Sequence, residues 1–306
     1  MNLKNVIPAS IIILLIPVVL LGASAQDVLR RAETADKRLN YKGVKITTVH
    51  FADEAVTSKL KVTHLRPNMT RTEYFSPAAL AGIVVLQDGI NFWKFHPRED
   101  AWERMCPKVI LSDESECHGF LNHFDLKITG VEKIAGRPAY VVCAIPKRGV
   151  ESAHRVWVDK EYYIVTGTQA ENPDGTVVNS SRYINIEVNP QGISPSLFKV
   201  SGRVKQVSEP NDVTFRLMKP SYVPPGYRLI GITSMMVNDF SCAHLQFSNG
   251  VNSISLFEHK INTKRQCPPI RSKITNVLDW NYKGFSLTLM SDLSMSELRK
   301  IAKSIH

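Results

Sequence analysis

Residues with side chains that could do chemistry are few in this sequence and widely spaced. The densest set of metal-ligating types is Cys106, Cys117, His118 and His123, at intervals of eleven, one and five residues. Structural zinc sites favour closely spaced pairs such as Cys-x-x-Cys, so these intervals argue against zinc. The sequence holds no phosphate-binding loop, dinucleotide glycine motif, nucleophile elbow or His-Glu-x-x-His motif. We therefore predict no catalytic site, cofactor or metal; a zinc- or disulfide-dependent enzyme is the weaker alternative.

The N-terminus has the pattern of an export signal. Lys4 precedes an almost wholly apolar run over 7–21, and Ala23-Ser24-Ala25 is the small-x-small pattern that signal peptidase cuts. The apolar run is shorter than the roughly 20 residues that a membrane-spanning helix needs. We expect residues 1–25 to be a signal peptide, removed after Ala25, and the mature protein to be exported and soluble.

Export permits disulfide bonds, and the chain has five cysteines. Cys106 and Cys117 bracket a short acidic segment and form the first predicted pair, and Cys242 with Cys267 forms the second. Cys143 lies in an apolar, strand-like run and is interpreted as a small buried hydrophobic residue. Because five is odd, one thiol stays free or pairs between chains.

An aromatic segment is the first candidate binding feature. Trp93, Phe95 and Trp102 lie in neighbouring strand-like runs, and strand alternation places Trp93 and Phe95 on one face and Phe92 on the other. Ordinary core packing is the simpler interpretation. The functional interpretation is a lipid-binding apolar wall for an acyl chain inside a concave sheet.

A basic segment is the second candidate. Residues 260–273 contain no acidic side chain and five basic ones, namely Lys260, Lys264, Arg265, Arg271 and Lys273. A solvated loop is the simpler interpretation, and a docking surface for an acidic partner segment is the functional one. The whole chain carries 38 Lys+Arg against 28 Asp+Glu, a net charge of +10. Export makes nucleic acid a poor candidate partner.

The elements that must position these residues are mostly strands. An amphipathic helix is predicted over 27–40, with Val28, Ala32, Ala35 and Leu39 on its apolar stripe. Strand-period runs follow, and the histidines within them, His154 included, are interpreted as sheet-face or rim residues. One helix cannot cover so wide an antiparallel sheet, so we expect an open half-barrel with an apolar concavity. The eleven predicted strands are 44–51, 58–65, 69–75, 82–87, 90–96, 101–105, 124–131, 138–145, 153–159, 162–171 and 176–188.

A composition change marks a second domain. Residues 189–212 hold three prolines and show neither helical nor strand periodicity, which is typical of an interdomain connection. Beyond it we predict a smaller α+β unit that ends in a helix over 294–305, with Ser294 and Glu297 as a capping box. Its predicted strands are 227–237, 243–248, 252–259, 274–280 and 285–290.

Several stretches, in this order, resemble the RseB/MucB family of periplasmic sigma-E regulators. They are LNYKGVKITTV (39–49), ITGVEKIAGRPAYVVCAIPK (128–147), the strand pair that begins VWVDKEYY at Val156, and PPGYRLI (224–230). The N-terminal half also resembles the LolA/LppX lipoprotein carriers. The cysteines depart from the family pattern.

The resemblance implies an α+β protein in four parts. These are the signal peptide, a LolA-like antiparallel half-barrel covered by helix (26–200), a linker (201–212) and a small C-terminal RseB-like domain (213–306). It further implies a periplasmic, non-enzymatic regulator: the large domain senses lipid or lipoprotein, and the small domain helps to bind the periplasmic segment of a membrane anti-sigma factor. A periplasmic lipid or lipoprotein carrier of LolA type is the alternative, although a minimal carrier does not need residues 213–306.

Overall fold

Two antiparallel sheets, one after the other in the chain, account for most of the fold. The computed structural model describes residues 23–50, 55–89, 91–105, 124–147, 152–205, 215–237, 240–249, 252–261 and 276–306. Each predicted strand of both domains overlaps an observed one. Period-two alternation and turn residues were therefore enough to locate the strands.

Two short helices precede the first sheet. α1 spans Ala25–Glu33 and α2 spans Ala35–Arg38, so the predicted helix over 27–40 is interrupted at Thr34. The Ser24 hydroxyl caps α1 by accepting a hydrogen bond from the Asp27 amide at 3.1 Å. Val28 and Ala35 of the predicted stripe are fully buried.

The first sheet has eleven strands, and every hydrogen-bonded neighbour is antiparallel. Their order across the sheet is β6-β5-β4-β3-β2-β1-β11-β10-β9-β8-β7. The first strand, β1, therefore pairs with the last, β11, in the middle of the sheet. The bounds are β1 Tyr41–His50, β2 Ala55–Leu65, β3 Met69–Ser76, β4 Val84–Asp88, β5 Phe92–His96, β6 Ala101–Met105, β7 Phe124–Ile134, β8 Arg137–Pro146, β9 Ala153–Asp159, β10 Val165–Glu171 and β11 Val177–Val188.

One face of this large sheet packs against the helices. Val28 of α1 packs on Val142 of β8. α2 lies over β1 and β2, where the Tyr41 hydroxyl donates to Asp36 Oδ1 at 3.1 Å and His64 Nε2 bonds the Asp36 carbonyl oxygen at 2.9 Å. These bonds fix α2 on the middle of the sheet, because each joins the helix to a different strand.

The opposite face is covered at β3–β6 by a later part of the chain. Leu86 pairs with Arg71, and Arg71 pairs with Thr63, so these side chains share a face, whereas His64 points to the helices. The residues that follow β11 return to this second face, where a 3₁₀ helix, Pro195–Phe198, buries Phe198. The two faces of the large sheet are therefore covered by different segments.

The second sheet has five strands in the order β12-β13-β14-β16-β15, and it ends with helix α3, Met295–Lys303. Its bounds are β12 Arg228–Val237, β13 Phe240–Ser248, β14 Ser253–Lys260, β15 Asn276–Tyr282 and β16 Phe285–Ser291. Ser294 caps α3 as predicted, since its hydroxyl accepts from the Glu297 amide at 3.3 Å. Leu298 and Ile301 are fully buried against the core of this small domain.

Candidate functional site

The aromatic residues singled out in the sequence come together on the large sheet. Trp93 and Phe95 lie on β5, Trp102 lies on β6, and the Phe95 and Trp102 ring centroids are 5.3 Å apart. Phe92 points to the other face and is 38% exposed, as alternation predicts. We call the set Trp93, Phe95, Trp102 and Phe198 the aromatic cluster.

The chain itself closes this cluster. Phe198 is 1% exposed and packs against Trp102, which is 6% exposed. The Trp102 indole donates to the Ser201 carbonyl at 2.9 Å, and the Trp93 indole donates to Asp88 Oδ2 at 2.9 Å. Both indole N–H groups are satisfied, so the observed arrangement is that of a packed core. The cluster also lies on the face opposite the helices, which the sequence did not indicate.

A polar contact joins the two domains. Ser152 Oγ lies 3.3 Å from Asp292 Oδ2, and His154 Nε2 lies 3.2 Å from Asn252 Oδ1. With the Asn252 amide oxygen as the acceptor, Nε2 of His154 is the donor of this hydrogen bond. Burial lowers the pKa of His154, and the bond to Asn252 and the charge of Asp292 oppose this shift. We call these four residues the domain contact. Sequence analysis placed His154 at a sheet face or rim and missed its partners, since no motif links them.

The small domain buries the carboxyl group of Glu258. Glu258 of β14 is fully buried, and its Oε2 accepts a hydrogen bond from the Met218 amide at 3.0 Å. Its Oε1 has no hydrogen-bond partner among the described residues. Burial raises the pKa of Glu258 to about 7, against the opposing effect of the Met218 amide. This carboxyl ties the segment before β12 to the core of the sheet.

Only part of the predicted basic segment can be located. Lys260 ends β14 and is exposed, next to Ile261, which is 41% exposed. Lys264, Arg265, Arg271 and Lys273 lie outside the described residues. The five side chains therefore remain a predicted docking surface.

The structure also describes only some of the cysteines. Cys106, Cys117 and Cys267 lie outside the described residues, so both predicted pairs stay predictions. Cys242 is buried on β13. Cys143 is on a strand, as predicted, but it is half-buried, with its Sγ 3.4 Å from Thr129 Oγ1.

Neither a metal cluster nor a membrane span is found in the described part of the chain. No group of three or more His, Cys, Asp or Glu side chains there could hold a metal ion. The four residues considered for zinc, within 106–123, fall outside it. None of the described helices is both long enough and apolar enough to cross a membrane.

Comparison with known proteins identifies the family. Residues 24–207 match the family model described as the MucB/RseB N-terminal domain. The chain belongs to the MucB/RseB family. Residues 251–305 of this MucB/RseB protein match a second family model, a domain of unknown function, DUF4367. A search of curated proteins gave no match.

Solved MucB structures share the fold of both domains. MucB in complex with MucA(peri) is 16% identical, with a TM-score of 0.68, and the match covers 92% of this chain and 98% of that one. The Pseudomonas aeruginosa MucA/MucB complex is also 16% identical over 92% and 98% of the two chains, with a TM-score of 0.66. A further MucB structure is 15% identical over 92% and 97%, with a TM-score of 0.66. The fold of this chain is therefore similar to that of MucB over 92% of its length.

Proposed function

We propose that this protein is a periplasmic, non-enzymatic regulator that binds the exported segment of a membrane anti-sigma factor. The observation that carries the proposal is the MucB/RseB family match over 24–207, together with the fold of MucB in its complex with MucA(peri). That fold match covers 92% of the chain and so includes the small domain, which a minimal lipoprotein carrier does not need. A carrier of LolA type is the alternative that the experiments must exclude.

The binding experiment uses the mature chain, residues 26–306, as bait in an envelope extract, with native mass spectrometry of the bound material. We expect a single-pass membrane protein with an acidic exported segment in a one-to-one complex. Recovery of lipid or lipoprotein alone, without a membrane protein of this kind, would favour the carrier instead. A signal peptide that ends at Ala25 is part of the proposal, and the N-terminal sequence of the secreted protein tests it.

The proposed docking surface for the partner is the basic segment of the small domain. Its five cations lie within fourteen residues without an acidic neighbour, and such clusters accelerate association with acidic segments. The triple variant K264E/R265E/K273E should weaken binding about tenfold at low salt, and less at high salt, because salt screens exposed charges. K37E/K127E/K133E makes the same charge change on exposed residues of the large domain and should alter affinity less than about twofold. Equal losses in both variants would point to net charge alone.

The lipid-sensing part of the proposal concerns the large sheet. We infer a half-barrel, covered in part by helix, in which an acyl chain inserts at the aromatic cluster by displacing the segment around Phe198. The apolar lining of Trp93, Phe95, Trp102 and Phe198 supports this site. Bound lipid would then lower affinity for the partner to the extent that it binds the free form better.

Palmitate titration, followed by tryptophan fluorescence, locates the lipid. Two variants on opposite faces of β5 are matched: F95A truncates a member of the cluster, and F92A truncates an exposed ring on the helix-covered face. If the cluster binds the acyl chain, F95A should weaken binding at least fivefold and F92A should not. The reverse pattern would place the acyl chain on the helix-covered face, and no saturable binding would remove lipid sensing from the proposal.

A further inference from the structure

Residues 201–205, which composition marks as the start of the linker, lie along the edge of the large sheet. The Trp102 amide donates to the Arg203 carbonyl at 2.8 Å, and the Lys205 amide donates to the Trp102 carbonyl at 2.7 Å. Together they form a parallel bridge between Trp102 and Val204. We call residues 201–205 the strap. It covers the outer edge of β6, the last strand at that side of the sheet.

Trp102 is the residue that holds the strap. Both of its backbone groups bond the strap, and its indole donates to the Ser201 carbonyl at 2.9 Å. The same ring packs on Phe95 and Phe198. One side chain is therefore shared between the aromatic cluster and the start of the connection to the small domain.

The other strap contacts among the described residues are two partly exposed ion pairs and one hydrogen bond from a side chain. Lys205 Nζ lies 2.5 Å from Glu99 Oε2 and 4.0 Å from Glu103 Oε2, and the Arg203 guanidinium donates to the Glu99 carbonyl. The bond to Lys205 is the main cause that lowers the pKa of Glu99. Exposed pairs of this kind contribute little to stability. Closure of the strap thus rests mainly on Trp102 and on the backbone of the strap itself.

That backbone requires a glycine. Gly202 has a φ of 96°, in a region that residues with a side chain rarely adopt. No atom of the described residues lies within 4 Å of the position that a Cβ would occupy there. Alanine at this position would therefore strain the closed strap without a clash and without touching the aromatic cluster.

The strap also determines where the chain leaves the large domain. With the strap closed, the described chain is bonded to the sheet as far as Lys205; with it open, the last packed residue would be Phe198 or Val200. Five to seven more extended residues add roughly 20 Å of reach. The domain contact, which consists of a few hydrogen bonds, also joins the domains and must then break.

We propose that the strap is a latch, locked by Trp102, that sets how far the small domain can move from the large one. The latch has two states: zipped along β6, with a short connection, or released, with a connection about 20 Å longer. The strap is held by three hydrogen bonds to Trp102 and by one glycine turn. So few contacts are typical of segments that open locally while the rest of a domain stays folded. The geometry of the strap supports the latch whatever the identity of the partner or lipid that the protein binds.

Limited trypsin digestion of the mature chain measures how often the strap opens. Arg203 and Lys205 are trypsin sites inside the strap, and the fragments that arise there separate the two domains by mass. W102F removes the indole bond and keeps an aromatic ring, so cleavage in the strap should be about fivefold faster, the equivalent of one hydrogen bond of about 1 kcal/mol. G202A should accelerate it similarly, with no change in the cluster.

W93F is the matched control, because it removes an indole bond in the same cluster, to Asp88, that does not involve the strap. Cleavage in the strap should keep the wild-type rate in W93F, and cleavage after the exposed Lys147 should be unchanged in all variants. Wild-type strap cleavage in G202A, or equal acceleration in W93F and W102F, would overturn the latch. G202A keeps the test valid if W102F destabilises the sheet.

Small-angle scattering tests the longer connection. The double variant W102F/K205P removes the indole bond and the Lys205 amide, and it should increase the maximum dimension of the particle by about 10–20 Å over W93F. An unchanged dimension, with strap cleavage accelerated, would show that the strap opens without freeing the small domain. That result would overturn the proposed control of reach.

Discussion

The guanidinium of Arg182 lies over the indole ring of Trp157, 4.0 Å from the ring centroid, although a strand separates the two residues. Trp157 is on β9, Arg182 is on β11, and Gly167 of β10 pairs with both in register. A Cβ on Gly167 would lie 3.2 Å from Arg182 Cγ and 3.2 Å from Trp157 Cε3. The cation–π contact across β10 therefore depends on a missing side chain.

G167A tests this arrangement. The added methyl group must displace either the arginine or the fully buried indole, so we expect the free energy of unfolding to fall by about 1–2 kcal/mol. Urea denaturation measures it. G130A is the control, because Gly130 is also on a strand but has nothing within 4 Å of its Cβ position. Equal stability of G167A and G130A would mean that the contact adds nothing.

The buried carboxyl of Glu258 predicts an unusual pH dependence. Its pKa is raised from 4.5 to about 7 in the folded protein. The folded state therefore binds the proton more tightly than the unfolded chain, and stability falls as the pH rises from 4.5 through 7. The loss over the whole range is on the order of 3 kcal/mol.

E258Q removes this titration and keeps an acceptor for the Met218 amide. We expect the variant to match the wild type near pH 5 and to be about 2 kcal/mol more stable at pH 8, by urea unfolding. E187Q, at a carboxylate that is 57% exposed, should change stability by less than about 0.5 kcal/mol. A wild-type pH profile in E258Q would show that Glu258 does not cause the pH dependence of stability.

His154, at the domain contact, predicts a pH dependence of stability with the opposite sign. Burial lowers its pKa below 6.5, so the folded state binds this proton less tightly than the unfolded chain does. The contribution is intact above pH 6.5 and is lost as the pH falls through the folded pKa. H154Q can still donate to Asn252 but does not titrate, so it should lose less stability than the wild type between pH 7.5 and pH 5. At pH 8 the free energies of unfolding of H154Q and the wild type should agree within about 0.5 kcal/mol. A wild-type pH slope in H154Q would show that His154 is not the titrating group.

The sequence predicted the strands well because their signal is local. All eleven predicted strands of the large sheet and all five of the small one overlap observed strands. The terminal helix begins one residue after its predicted cap, Ser294. Alternation, turn residues and capping depend on near neighbours in the chain, and tertiary packing did not override them.

What the sequence could not predict depends on long-range register. Alternation separated Phe92 from Trp93 and Phe95, but it could not tell which face the helices cover. The sequence did not indicate the strap because two of its three bonds to Trp102 are backbone bonds, which any side chain permits. The pairing of His154 with Asn252 joins residues 98 apart in the chain, with no motif that links them.

The proposed function of this MucB/RseB protein is to bind the exported segment of an anti-sigma factor. Its most direct test is isothermal titration of the mature chain, residues 26–306, with the purified exported segment of the anti-sigma factor from the same organism. We expect saturable one-to-one binding that weakens as salt rises. An absence of heat and of complex at about 100 μM of each protein, a concentration at which even a micromolar complex would be nearly saturated, would contradict it.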